Sequence, residues 1–114
     1  MSNFLCHFEI LTSDLEKAKT FYSQLFNWEM NPWGTQGTYE HIKTPQEPSG
    51  GLWKTDEQKG IMIYFKVDDI EQTLNKVKQL GGKVTLEKTE IPNVGYYAIF
   101  SDLDGNQIAL FNEK

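Results

Sequence analysis

The order of hydrophobic and polar positions repeats when the chain is shifted by 55 residues. In each half, a short apolar segment (residues 5–11 and 61–67) leads through an acidic junction into a segment whose apolar residues recur every three or four positions. This spacing predicts a strand followed by an amphipathic helix with one buried stripe. Gly81 and Gly82 follow the second helical segment and are expected to end it.

The acidic junctions predict where the two helices begin. Ser13 with Glu16, and Asp68 with Glu71, have the spacing of a capping box. In such a box the first side chain accepts a hydrogen bond from the backbone N–H three residues on, and the glutamate accepts one from the first residue's own N–H. We therefore expect Ser13 and Asp68 to be the N-caps.

Three strands are predicted after each helix, because apolar residues there alternate with polar ones or form short runs between turn residues. They are residues 28–33, 38–43 and 51–54 in the first half, and 83–88, 96–101 and 107–112 in the second. The predicted fold class is α+β, a single 1–114 domain of two tandem βαβββ modules at about residues 3–55 and 60–112. Since one helix covers only one sheet face, we expect the modules to face each other in a concave, barrel-like mixed sheet.

Composition narrows the classes of protein that this chain can represent. A length of 114 residues with 39% hydrophobic residues is enough for one compact domain. A net charge of −5 provides no basic surface for nucleic acid. The apolar runs are far shorter than the roughly 20 residues of a membrane span. With Cys6 as the only cysteine and no leader-like N-terminal segment, we expect a cytoplasmic protein without an internal disulfide.

The sequence resembles the glyoxalase, bleomycin-resistance and extradiol-dioxygenase superfamily, also called the vicinal oxygen chelate superfamily. Within it, the chain is similar to the small glyoxalase-like proteins, and the resemblance runs from about Asn3 to Asn112. These motifs carry it: Asp14-Leu15 after a strand, Phe21-Tyr22-x-x-Leu25-Phe26-x-Trp28 at the end of a helix, and Asp102-x-Asp104-Gly105-Asn106-x-Ile108-x-Leu110 near the C-terminus.

The resemblance implies a test for metal binding. Metal-dependent members take one ligand from each of four strands, two in each half, around one divalent cation. His7 stands at the first position, but the others fall at Met62, at Ala109 and near Gly50 or Gly51, none of which supplies a suitable donor. Since catalytic metals need about three protein ligands, we expect no divalent metal cofactor.

Strand alternation predicts which side chains line the concave cleft. His7 and Glu9 lie two residues apart and point the same way, so that imidazole and carboxylate can share a proton, and Glu9 is a candidate general base. Alternatively, the two residues belong to a structural polar network. We expect the cleft walls to be mostly aromatic and to bind a ligand: Tyr39, His41, Trp53, Tyr64, Tyr97 and Gln107. Alternatively, these rings only fill the space between the halves.

Two functions are consistent with these features. The first is a metal-free protein that binds a small aromatic or oxygenated molecule in the cleft. The second is a lyase, isomerase or dioxygenase-type enzyme acting on a carbonyl or vicinal-oxygen substrate, through Glu9 or through a rearranged metal site that adds His41. The resemblance also implies a homodimer, to which Trp28 and Trp33 would contribute as exposed aromatic contacts.

Overall fold

A computed structural model describes residues 2–56 and 60–114 of the chain. Its helices and strands follow in this order: β1 (Phe4–Thr12), α1 (Leu15–Phe26), β2 (Glu29–Pro32), β3 (Tyr39–Lys43), β4 (Ser49–Lys54), β5 (Gly60–Lys66), α2 (Ile70–Gln79), β6 (Lys83–Ile91), β7 (Gly95–Ser101) and β8 (Gln107–Glu113). The order confirms the α+β class and the repeated βαβββ pattern. The strand boundaries differ from the predicted ones by three residues at most.

The chain divides into two compact units with the same strand arrangement. The first unit is Cys6–Met62, and the second contains Ile63–Lys114 with residues 2–5. In the first unit the strands lie in the order β2-β3-β4-β1, and β1 runs parallel to β4. In the second the order is β5-β8-β7-β6, with β5 parallel to β8. The remaining neighbours within each unit are antiparallel.

Each unit buries one face of its sheet beneath its own helix. In the first unit, Phe8 and Ile10 of β1 pack with buried Ile42 and Leu52 and with Leu15 of α1. In the second unit the corresponding cluster combines residues of α2 with strand residues: Val67, Ile70, Leu74, Ala98 and Leu110. The predicted alternation is therefore confirmed, and His7 and Glu9 lie on the sheet face opposite α1. We call this surface of the first unit the site face (His7, Glu9, Leu11, Tyr39, His41, Gly51 and Trp53).

The helices begin one residue later than the capping-box spacing predicted. Asp14 is the N-cap of α1 and accepts a hydrogen bond from the backbone N–H of Lys17 at 3.1 Å. Its own N–H donates to Thr12 Oγ1, which takes the part expected of Glu16. Asp69 caps α2 in the same way. The prediction of Ser13 and Asp68 was wrong because each junction contains two adjacent residues able to cap, and the first helical residues, Leu15 and Ile70, must reach the cores.

Trp28, which follows the end of α1, was predicted to be exposed, and this prediction was wrong. Asn27 ends the helix in the left-handed region at φ 57°. The next residue, Trp28, turns inward and packs against Phe26 and Phe8, with ring centroids 4.6 Å and 6.2 Å apart. Trp28 is therefore half-buried in its own unit, and only Trp33, 48% exposed, keeps the expected exposure.

Neither helix within residues 2–56 and 60–114 has the length and apolar character needed to span a membrane.

Candidate functional site

Three side chains of the site face are joined by hydrogen bonds around a tyrosine hydroxyl. Tyr39 Oη donates to Glu9 Oε2 at 2.8 Å, and the same hydroxyl lies 2.8 Å from His7 Nε2. The His7 Nε2 and Glu9 Oε2 atoms are 3.8 Å apart. We call these three residues the trio. They connect a carboxylate, a phenol and an imidazole, which are groups that accept, donate or exchange protons.

The side chains of the trio are buried or half-buried. Glu9 is only 6% exposed, whereas the His7 side chain is 23% exposed. Burial, followed by the negative charge and the hydrogen bond of Glu9, raises the pKa of Tyr39 far above its ordinary value of 10.0. Tyr39 therefore remains a neutral hydrogen-bond donor at any physiological pH.

The position of the Tyr39 ring depends on Gly51 of β4. In the sheet, Gly51 is the register partner of both Glu9 and His41. A Cβ atom built on Gly51 would lie 1.9 Å from the Tyr39 hydroxyl oxygen and 2.3 Å from Cζ. The phenol thus occupies the space that any side chain at position 51 would need, and no ligand side chain can project from there.

His41 and Trp53 lie on the same face but outside the trio. His41 is two residues from Tyr39 along β3, and Trp53 is the register partner of Tyr39 on β4. A second ring borders the phenol, since Trp33 meets Tyr39 edge to face with centroids 5.8 Å apart. The first unit therefore places aromatic surface beside the polar trio.

The remaining predicted site residues belong to the second unit, where strand register identifies their counterparts. Tyr64 is the counterpart of Glu9, because Tyr64 pairs with Ala109 where Glu9 pairs with Gly51. Tyr97 is the counterpart of Tyr39, because Tyr97 pairs with Phe111 where Tyr39 pairs with Trp53. The counterpart of the Glu9–Tyr39 pair is thus two tyrosines, whose ring centroids are 6.5 Å apart.

The side chain of Gln107, on β8, forms hydrogen bonds with side chains of β6 and β7 in the second unit. Its Oε1 accepts a hydrogen bond from Thr85 Oγ1 at 2.9 Å, and its Nε2 donates to Ser101 Oγ at 3.3 Å. Both polar atoms of the carboxamide therefore take part in cross-strand contacts that hold the second unit's sheet together.

Sequence reasoning missed a second buried carboxylate, on the other side of the first unit's sheet. Glu40 is 5% exposed and points toward α1, where Lys19 Nζ lies 3.3 Å from its Oε1. The alternation of β3 could have indicated this, because Glu40 shares parity with buried Ile42. This ion pair connects helix and sheet on the face opposite Glu9.

A catalytic divalent metal needs about three donor side chains from the protein. Over residues 2–56 and 60–114, no group of three or more His, Cys, Asp and Glu side chains is arranged to hold a metal ion. His7 Nε2 is engaged with a phenol, and position 51 offers no donor. The residues present do not fit the metal site that the resemblance implies.

Comparison with known proteins gives concordant matches over nearly the full length. The family model for the Glyoxalase/Bleomycin resistance protein/Dioxygenase superfamily matches residues 5–110. A glyoxylase-like domain-containing protein of Didymella fabae is 29% identical over 112 residues, which covers 90% of this chain and 88% of the relative.

Two solved structures show the same fold. Hypothetical protein BH1468 from Bacillus halodurans matches with a TM-score of 0.75 and 19% identity, over 100% of this chain and 96% of that one. The Mn(II)-bound glyoxalase from Novosphingobium aromaticivorans matches with a TM-score of 0.69 and 21% identity, over 97% of this chain and 40% of that one. At such identities the likeness concerns the fold alone.

Proposed function

Because the chain belongs to the Glyoxalase/Bleomycin resistance protein/Dioxygenase superfamily, we propose that it binds a small aromatic or oxygenated molecule at the trio, without a divalent metal. The observation that carries this proposal is the Tyr39 hydroxyl, 2.8 Å from both Glu9 Oε2 and His7 Nε2. A metal ligand must offer a lone pair to the ion. Here a protein hydroxyl lies against the imidazole nitrogen and organises the polar groups instead.

The charge of the trio indicates what kind of ligand it accepts. An ionised carboxylate has about four acceptor sites, so Glu9 accepts several hydrogen bonds at once, of which that of Tyr39 is one. Its negative charge, together with the chain's net charge of −5, disfavours anionic ligands. The aromatic rings of Trp33 and Tyr39 add surface for a planar group. A neutral aromatic compound with hydroxyl donors, of which catechol is the simplest probe, fits these requirements.

A lyase or isomerase acting on a carbonyl or vicinal-oxygen substrate is the second candidate. The observation that favours it is the pairing of two proton-exchanging groups, with Glu9 Oε2 and His7 Nε2 only 3.8 Å apart. In this version Glu9 accepts a proton from the bound substrate, and Tyr39 holds the carboxylate in position. The rearranged metal site with His41 receives no such support, because none of the trio's contacts involves His41.

Titration calorimetry with catechol, phenol and cyclohexanol, in buffer containing EDTA, tests the proposal. We expect catechol to bind to the wild-type protein. The Glu9→Gln variant should lose this binding, while its melting temperature stays within a few degrees of the wild-type value. Glu40→Gln is the matched control, since it alters an equally buried carboxylate on the opposite face. It should lower stability, because it breaks the Lys19 pair, and leave the affinity for catechol unchanged.

Three results would count against the proposal. Failure of both aromatic probes to bind would argue against a site of this chemistry. Binding that survives Glu9→Gln would remove the trio from the site. Binding that requires added Mn²⁺ or Zn²⁺ would favour a metal-dependent site.

A further inference from the structure

Two adjacent glycines of β4 face opposite sides of the first unit's sheet. A Cβ atom on Gly50 would lie 2.3 Å from Phe8 Cζ, on the side of α1. A Cβ atom on Gly51 would lie 1.9 Å from the Tyr39 hydroxyl oxygen, on the site face. Since real Cβ atoms essentially never approach other atoms this closely, a side chain at either position would force the facing ring to shift. Gly50 makes room for the core, and Gly51 makes room for the trio.

The backbone itself does not require glycine at position 51. The glycines with positive φ are elsewhere in the chain: Gly34, Gly37, Gly60, Gly81 and Gly105. In a strand interior, glycine weakens the sheet unless another group approaches the backbone closely. For Gly51 that group is the phenol of Tyr39. In the second unit the counterpart of Gly51 is Ala109, which has a Cβ, and the counterpart tyrosine pairs with another tyrosine.

The hydrogen bonds of the trio can run in one direction only. Glu9, as a carboxylate, accepts the single proton of the Tyr39 hydroxyl. The hydroxyl oxygen then acts as an acceptor toward His7, so Nε2 of the imidazole must carry a proton. The chain of bonds runs from His7 Nε2–H to Tyr39 O–H to Glu9 Oε2. This arrangement places the proton of neutral His7 on Nε2.

We propose that Gly51 is a positioning residue, whose missing side chain lets Tyr39 reach both Glu9 and His7 and thereby fixes His7 as the Nε2–H tautomer. This positioning of Tyr39 and His7 exists in the protein before any ligand binds. The inference therefore goes beyond the proposed function and can fail or succeed independently of it.

Nitrogen-15 NMR of the two imidazoles tests the inference. The chain has only two histidines, and the His41→Gln variant assigns their signals. In the wild-type protein we expect neutral His7 to be a single Nε2–H tautomer. Gly51→Ala and Tyr39→Phe should each shift the nitrogen-15 signals of His7, because the phenol is displaced in one variant and lacks its oxygen in the other. Gly50→Ala is the control: it disturbs Phe8 in the core and should leave the His7 signals unchanged.

A second measurement covers the case in which Gly51→Ala does not fold. Tyr39→Ala removes the ring that a Cβ at position 51 would meet. We expect the Gly51→Ala/Tyr39→Ala double variant to fold with the melting temperature of Tyr39→Ala alone. The inference is overturned if Gly51→Ala lowers the stability of Tyr39→Ala further. It is equally overturned if neutral His7 carries its proton on Nδ1, or if its nitrogen-15 signals do not change in Gly51→Ala.

Discussion

Replacement of Tyr39 by phenylalanine removes one atom from the centre of the trio and leaves the ring in place. The packing of the ring over Gly51 and against Trp33 is kept, because only the hydroxyl oxygen is lost. Two hydrogen bonds of 2.8 Å disappear, one to Glu9 and one to His7. The change therefore isolates the contribution of the hydroxyl to the free energy of unfolding.

The magnitude follows from the kind of bond and from its burial. A hydrogen bond to a charged group contributes about 1.5–3 kcal/mol, and a neutral one about 0.5–1.5 kcal/mol. Since Glu9 is 6% exposed, water replaces the lost donor poorly. We expect Tyr39→Phe to lower the free energy of unfolding by about 2–4 kcal/mol. For a chain of 114 residues this corresponds to a drop in melting temperature of roughly 8–16 °C.

Urea unfolding followed by tryptophan fluorescence measures this loss. Tyr22→Phe is the matched control, because Tyr22 of α1 contributes its ring to a stack with Phe26 and with Trp28, which follows the helix. That exchange should change stability by no more than about 0.5 kcal/mol. If Tyr39→Phe costs no more than Tyr22→Phe, the hydroxyl does not bridge Glu9 and His7, and the trio as described is wrong.

Three further predictions concern pH and the turns. Because the pKa of Tyr39 is raised above its ordinary value of 10.0, the unfolded chain releases this proton first, and stability should fall as the pH rises above that value. Urea unfolding should show this fall to be smaller in Tyr39→Phe. Asp14→Ala should lower stability by about 1 kcal/mol in thermal unfolding, whereas Ser13→Ala should have little effect; a larger cost for Ser13 would contradict the assigned cap. Hydrogen bonds from Asn106 lower the pKa of Asp102 below its ordinary value of 3.8, so above that value the Asn106 amide should exchange more slowly than an unstructured amide at the same pH, and this protection should fall as the pH drops through the lowered pKa; loss of protection already near neutral pH would refute this.

The sequence alone predicts the faces of the strands better than it predicts contacts between strands. Alternation separated Phe8 and Ile10 from His7 and Glu9, because the two-residue period is a property of the extended backbone. The same rule would have placed Glu40 beside Ile42 beneath α1. It could not have shown that Lys19 lies 3.3 Å from Glu40, since that distance depends on how the helix lies on the sheet.

The trio itself depends on register, which the sequence does not specify locally. Glu9 and Tyr39 are 30 residues apart and meet because β4 lies between β1 and β3 with Gly51 opposite both Glu9 and His41. Sequence reasoning assigned Tyr39 to an aromatic wall rather than to a hydrogen-bonded centre. The sequence signal that could have indicated the contact is Gly51 in the predicted strand 51–54, because glycine in a strand can mark a close approach to the backbone.

Metal content per chain tests most directly whether the trio works without a divalent ion. The purified protein is incubated with Mn²⁺, Zn²⁺, Ni²⁺ or Fe²⁺, passed through a desalting column and measured by elemental analysis. We expect far less than one equivalent of any of these metals, because His7 Nε2 is bonded to Tyr39 and position 51 has no donor. About one metal ion per chain, lost in the His7→Ala variant, would contradict this expectation.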